Sequence, residues 1–217
     1  MLLWSIWKSR NELVWSNETF SATGVQRVAT SLLSSWRVAH EEGNSLVYSR
    51  ARHEDLKWKR PGINQVKINV DAAHNPRDGL WSWGWVSRNS DGIFIQARTR
   101  VVKAKWSPEV AEAWGVWEAI RWACRNWWTN LVIETDASLI IAGIQGESYA
   151  AQIGVIYDDI KVLLRANSDI QVKWCRRVAN KVAHTFARYA SYASVSDITF
   201  DLPPNYVVSH LANDLIL

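Results

Sequence analysis

Between Val66 and Val102 apolar and polar residues alternate in three successive runs, VKINVD, WSWGWVSRN and DGIFIQARTRVV, and this two-residue period admits extended strands with one face turned inward. Ser90-Asp91-Gly92 supplies a tight turn between the last two runs, so the three strands are predicted to pair antiparallel. The period then changes. Ser107 is an N-cap candidate with Pro108 at the first helical position, and Val110, Ala113, Trp114, Trp117, Ile120 and Trp122 form an apolar stripe to about Trp127. Because Trp81, Trp83 and Trp85 alternate with Ser82 and Gly84, all three indoles fall on one face of their strand and are expected to form a core layer.

After this helix come the apolar run LVIETD, helices from about Ser138 and from about Ala151 to Ala166, a strand IQVKWC, and a last helix from about Ala179 to Ala193. The order βββαβααβα predicts an α/β fold. Strands separated by helices pair in parallel through right-handed crossovers, which gives a mixed five-stranded sheet, three antiparallel strands and then two parallel, with helices on both faces. Before this domain, apolar residues recur at helical spacing to about Glu42 and predict two helices, interrupted around Asn17 to Gly24. A polar stretch from Gly43 to Pro61 reads as a linker. The expected division is a helical extension and linker over residues 1–56, a domain over 57–195 and a tail over 196–217.

The chain has 217 residues with 48% hydrophobic content, enough for one well-buried domain with an appendage. The opening run MLLWSIW is too short to span a membrane and lacks a small-residue cleavage site, so no membrane partner is expected. Cys124 and Cys175 have neither metal-ligand spacing nor a disulfide framework, which points to an intracellular protein. No compact basic import cluster selects nucleus over cytoplasm. A net charge of +4 suits a polyanionic partner without requiring one.

Three carboxylates fall where the pattern would bring them together. Asp71 is expected at the end of the first strand, Glu112 in the second turn of the main helix, and Asp136 at the end of the fourth strand. Two strand-end aspartates on neighbouring strands, about 4.8 Å apart, can share a divalent ion, and carboxylate oxygens are the hard ligands such an ion prefers. Glu109 and Glu118 are competing acids on the same helix.

The segments INVDAA, SPEVAEAWGVWEAI and LVIETDASLI resemble the three acidic motifs of the ribonuclease H superfamily, and RVANKVAHTFARYA resembles its closing motif. The form is that of type 1 ribonuclease H domains in reverse transcriptase-like proteins of plant non-LTR retroelements, and IWKSRNELVW is similar to the segment following the polymerase there. Only Glu112 has the AEA context of the family's catalytic glutamate. The resemblance implies metal-dependent endonucleolytic cleavage of the RNA strand of an RNA/DNA hybrid, with two Mg²⁺ ions held by Asp71, Glu112 and Asp136. The family's fourth ligand position, most often Asp, falls on His184, which also admits Mn²⁺. No histidine stands before the closing helix, where the chain reads WCRRVAN. Lys173, Arg176, Arg177, Asn180 and Lys181 are the expected nucleic-acid contacts. Ala72 and Ala73, small and just beyond Asp71, would let a hybrid's minor groove approach the backbone.

Overall fold

The computed structural model describes residues 57–146, 151–193 and 197–215, together with three helical positions, Ala22, Gln26 and Thr30, of the N-terminal segment. The chain divides into two compact units, residues 1–54 and 55–217. The two helices expected before Glu42 lie outside the described residues apart from those three positions.

In the second unit the strands are β1 (Val66–Asn75), β2 (Leu80–Arg88), β3 (Phe94–Lys103), β4 (Leu131–Thr135), β5 (Ile170–Trp174) and β6 (Ile198–Phe200). The helices are α1 (Pro108–Arg125), α2 (Ser138–Gln145), α3 (Ala151–Ala166), α4 (Lys181–Ala193) and α5 (Asn205–Leu215). They build one mixed sheet in the order β5-β4-β1-β2-β3-β6. The opening meander is antiparallel and β4 and β5 add in parallel, as the alternation of strands and helices predicts. The sheet has a sixth strand. Residues expected only as a tail supply it: β6 pairs with β3, and α5 follows. Phe200 reaches Phe186 at 5.3 Å between ring centroids, and Val207 is fully buried, so apolar contact rather than strand length holds this segment in place.

Local chemistry sets the element ends. The β2–β3 turn closes on Asn89, whose Oδ1 accepts from the amides of Asp91 and Ile93, while Gly92 takes φ +81°, a region other residues resist. Helix α1 opens with Ser107 Oγ accepting from the Val110 amide at 3.3 Å, with Pro108 next. It stops where Asn126 Nδ2 donates to Trp122 O and Trp127 turns to φ +55°.

Two cores lie on opposite faces of the sheet. The larger fills the space under α1, α2 and α3 with residues such as Ile68, Val70, Ile133, Ile120 and Ile160. The smaller packs Val86 and Ala97 against Val182, Ala183 and Phe186 of α4 and Val207 of α5. The three strand tryptophans form the expected core layer: Trp81, Trp83 and Trp85 are 4%, 0% and 1% exposed. Each such indole removes on the order of 200 Å² from water, about 5 kcal/mol of transfer free energy before entropy is counted. Trp58, in the stretch read as linker, is also buried, because its ring lies under the Arg88 guanidinium at 3.4 Å and its N–H donates to Asn69 Oδ1.

Between the tryptophans, Ser82 and Gly84 face α4. Ser82 Oγ donates to Ala187 O at 2.8 Å. At Gly84 the helix backbone comes so close that a Cβ would sit 2.4 Å from Ala183 O and 2.6 Å from Ala187 N. A methyl group there must displace backbone, so Gly84→Ala should destabilise the domain by about 1–3 kcal/mol. Chemical denaturation would check this, and an unchanged midpoint would show that α4 does not depend on this contact.

Candidate active site

Strand β1 does not end at Asp71. It pairs with β2 as far as Asn75, but its parallel pairing with β4 stops at Val70↔Thr135. Asp71 is therefore the first residue past the point where β4 leaves β1, and Asp136 is the first residue after β4. The two aspartates flank the mouth of this fork. The cross-strand neighbour of Asp71 is Gly84, so the residue beside it on that face has no side chain, and α4 settles there.

That approach brings His184 to Asp71, with Nδ1 2.7 Å from Oδ2. While Asp71 is ionised, Nδ1 carries the shared proton. Helix α1 is fixed on the other face by two indole N–H groups: Trp83 donates to Ala111 O at 2.8 Å and Trp85 to Gly115 O at 2.9 Å. Glu112 follows Ala111 directly, and its carboxylate accepts a hydrogen bond from the Ala72 amide. Its Oε2 is enclosed and has no hydrogen-bond partner.

The electrostatics are unfavourable to this arrangement of acids. Burial, followed by the charges of Asp71 and Asp136, pushes the Glu112 carboxyl well above the usual carboxylate range, against the pull of Arg177. Burial also raises Asp71; the hydrogen bond from His184 opposes this, and the charge of Asp136 adds to it. Among the described residues no three His, Cys, Asp or Glu side chains form a ready-made metal cluster. The donor set nevertheless fits a divalent cation: Glu112 keeps an unpartnered buried carboxylate oxygen, and the charges of Asp71 and Asp136 raise its proton affinity, which is what hard oxygen ligands do when positive charge is missing.

The competing acids are accounted for. Glu118 is 2% exposed and meets Arg98 and Arg125 at 2.9 Å and Arg121 at 3.4 Å, so it is the hub of an ion-pair cluster. Glu109 accepts from the Tyr157 hydroxyl at 3.2 Å.

Of the expected nucleic-acid contacts, Lys173, Arg176, Arg177 and Lys181 are exposed, and Arg177 Nη1 stands 4.0 Å from Asp136 Oδ2. Asn180 is a correction. It is 1% exposed, and its Nδ2 donates to Val70 O and to Asp136 Oδ1, both at 2.9 Å, so it ties the two arms of the fork together from behind. An amide reads the same in sequence whether it faces solvent or backbone; only its place before α4 hinted at this role. Beyond Asp71 an open groove of about 420 Å³ is lined by Ala72, Ala73, His74, Arg177, His184 and Arg188, among others.

Residues 69–190 match the family described as reverse transcriptase-like. The chain belongs to this family. Its domain is ribonuclease H-like in fold: the RNase H1 of the halophilic archaeon Halobacterium salinarum superposes with a TM-score of 0.55 at 18% identity, covering 59% of this chain and 98% of that one. LC11-RNase H1, isolated from compost by a metagenomic approach, gives 0.55 at 16% identity over 62% of this chain and 100% of its own. The same compost protein in complex with an RNA/DNA hybrid gives 0.53 at 14% identity, covering 60% and 99%. In sequence, an Arabidopsis thaliana protein named as a ribonuclease H protein is 26% identical across the whole chain, which spans 35% of that relative's length.

A carboxyl raised on folding binds its proton more tightly in the folded state, so the stability it contributes is full below the ordinary value of 4.5 and is lost as pH climbs through the raised one. The domain without divalent cations should therefore lose stability as pH rises from 4.5 toward neutrality. Glu112→Gln should flatten this slope and raise the neutral-pH Tm by a few degrees, on the order of 1 kcal/mol. Thermal melts in chelator across pH would test this; a Glu112→Gln protein that melts lower at neutral pH would refute it.

Proposed function

We propose that this chain is a metal-dependent ribonuclease that hydrolyses the RNA strand of an RNA/DNA hybrid. The observation that supports the reading is the fork itself, where Asp71 and Asp136 flank the point at which β1 and β4 part and their charges act on a Glu112 carboxylate that keeps one enclosed oxygen unpartnered. Asp71, Glu112 and Asp136 would hold the metal, with His184 beside them; Mg²⁺ is the expected ion, as a pair, and Mn²⁺ is the alternative that an imidazole favours. Bound ions supply positive charge on the attacking and leaving sides of a scissile phosphate.

The chain's own residues do the rest. Ala72 and Ala73 put two small side chains in the wall of the groove just past Asp71, which lets a wide, shallow minor groove come close to the backbone there. Arg177 and Arg188 line it, and Lys173, Arg176 and Lys181 add exposed positive charge on the segment from β5 to the start of α4, so binding should be largely independent of sequence and should weaken with salt. Asn180 acts as a positioning residue, holding Asp136 against the β1 backbone. The solved neighbour bound to a hybrid supports this choice of substrate.

A second reading has its own observation. His184 Nδ1 contacts Asp71 directly at 2.7 Å and occupies an oxygen that a metal would use. A module that keeps that contact would hold hybrids without cutting them.

Purified protein incubated with end-labelled hybrid in Mg²⁺ and then in Mn²⁺, beside Asp71→Asn, decides between the two. Cleavage that Asp71→Asn lowers by at least about 10³-fold is expected, the size usual for loss of a group central to the chemistry. Salt-sensitive binding with no cleavage in either metal would leave only the second reading.

A further inference from the structure

Trp174 is out of place as a structural residue. The fully buried indoles are at most 5% exposed and four others pack half-buried on the core, whereas Trp174, the last residue of edge strand β5, is 50% exposed. Its indole is not loose, because Nε1 donates to the backbone carbonyl of Asp136 at 3.2 Å, which pins the ring beside one of the candidate metal-binding carboxylates. Arg176, exposed, follows two residues on, and an open cleft of about 310 Å³ next to the ring is lined by Trp174, Arg176, Lys57, Lys59 and Glu134 among others. Arg177, the next residue, lines the groove on the Ala72 side instead. The two arginines thus lead away from Asp136 in two directions. Trp127, 89% exposed, is the contrasting case: it lies in the turn after α1, about 20 Å along the helix from Glu112.

We infer that Trp174 is a stacking shelf for an unpaired base of the nucleic-acid strand as it leaves the carboxylates, so that the protein favours hybrids with a single-stranded extension at the cut. The inference rests on the reading of the fork as a nucleic-acid site. A pinned aromatic ring beside a cation-lined cleft is how single strands are held without regard to sequence, since every base has a π-face and every nucleotide a phosphate. The base must be unpaired, because a paired one would have to leave its stack to reach the ring.

The test uses the full chain carrying Asp71→Asn to prevent cleavage, with two probes: a blunt hybrid, and the same hybrid with a single-stranded RNA extension containing 2-aminopurine next to the junction. The extended probe should bind about tenfold more tightly than the blunt one, the worth of one stacked base, with its fluorescence quenched. Trp174→Ala should erase both the preference and the quenching, and Trp174→Phe, which keeps a ring face but has no N–H, should retain most of both. Equal binding of the two probes, or a preference that survives in Trp174→Ala, overturns the shelf and leaves the hybrid reading standing. A Trp174→Phe protein as poor as Trp174→Ala overturns it too, by showing that only the N–H bond to Asp136 matters. Failure to bind either probe removes the reading of the fork, and the shelf with it.

Discussion

The pentapeptide Trp81-Ser82-Trp83-Gly84-Trp85 holds both helices that carry the site, one on each face of the sheet. A strand turns successive side chains to opposite faces, so alternating the largest residue with two of the smallest produces one thick face and one thin one. The thick face bears α1, and its indole N–H groups bond to the carbonyls of Ala111 and Gly115, on either side of Glu112. The thin face lets the α4 backbone rest on the sheet at Gly84, beside Asp71, which puts His184 within hydrogen-bond reach. Glu112 and His184 come from helices in different cores, and this strand fixes both. A larger residue at Gly84 would lift α4; a smaller one at Trp83 would loosen α1.

Charge on the α4 face of β1 is compensated everywhere except at the fork. Lys67 meets Glu134 at 2.6 Å, and Arg88, its cross-strand neighbour, meets Asp214 of α5 at 2.7 Å. Asn69 lies between them, accepting from Trp58 and Arg88 and donating to Glu134. Two residues further along the same face, Asp71 is met by an imidazole rather than a permanent cation, and the charge of Asp136 acts against it. The contrast within α1 is just as sharp: Glu118 has three arginines, and Glu112, six residues earlier, has an amide and the pull of Arg177. A fold that pairs Glu118 so fully has left Asp71 and Glu112 short of positive charge, the pattern expected where a charged ligand completes a site.

What could be read from the sequence was whatever depended on local period. Alternation gave the meander and the tryptophan face, Ser107-Pro108 gave the start of α1, and the order of acids singled out Asp71, Glu112 and Asp136. Features set by distant partners were not legible. Asp71 was expected at a strand end, yet β1 continues because β2 still pairs with it after β4 has gone. Strand β6 has three residues, too few to show a period, and exists because Phe200 finds Phe186. Trp58 was hidden in a polar stretch because its burial depends on Arg88, thirty residues away in the chain. In sequence Asn180 reads as a nucleic-acid contact for a similar reason: its partners, Val70 O and Asp136, lie 110 and 44 residues distant.

Asn180 also explains why the fork keeps its shape. Parallel strands separate readily once their ladder ends, and beyond Val70 and Thr135 no backbone bond joins β1 to β4. Repulsion between Asp71 and Asp136 acts to widen the gap. One buried amide opposes it, donating to the last paired carbonyl of β1 and to the side chain that follows β4, from the residue just before α4 begins. The helix that brings His184 to Asp71 is thereby tied at its start to Asp136, so the spacing of the two aspartates and the position of the imidazole are set together. Any change in how α4 docks must be felt at both acids.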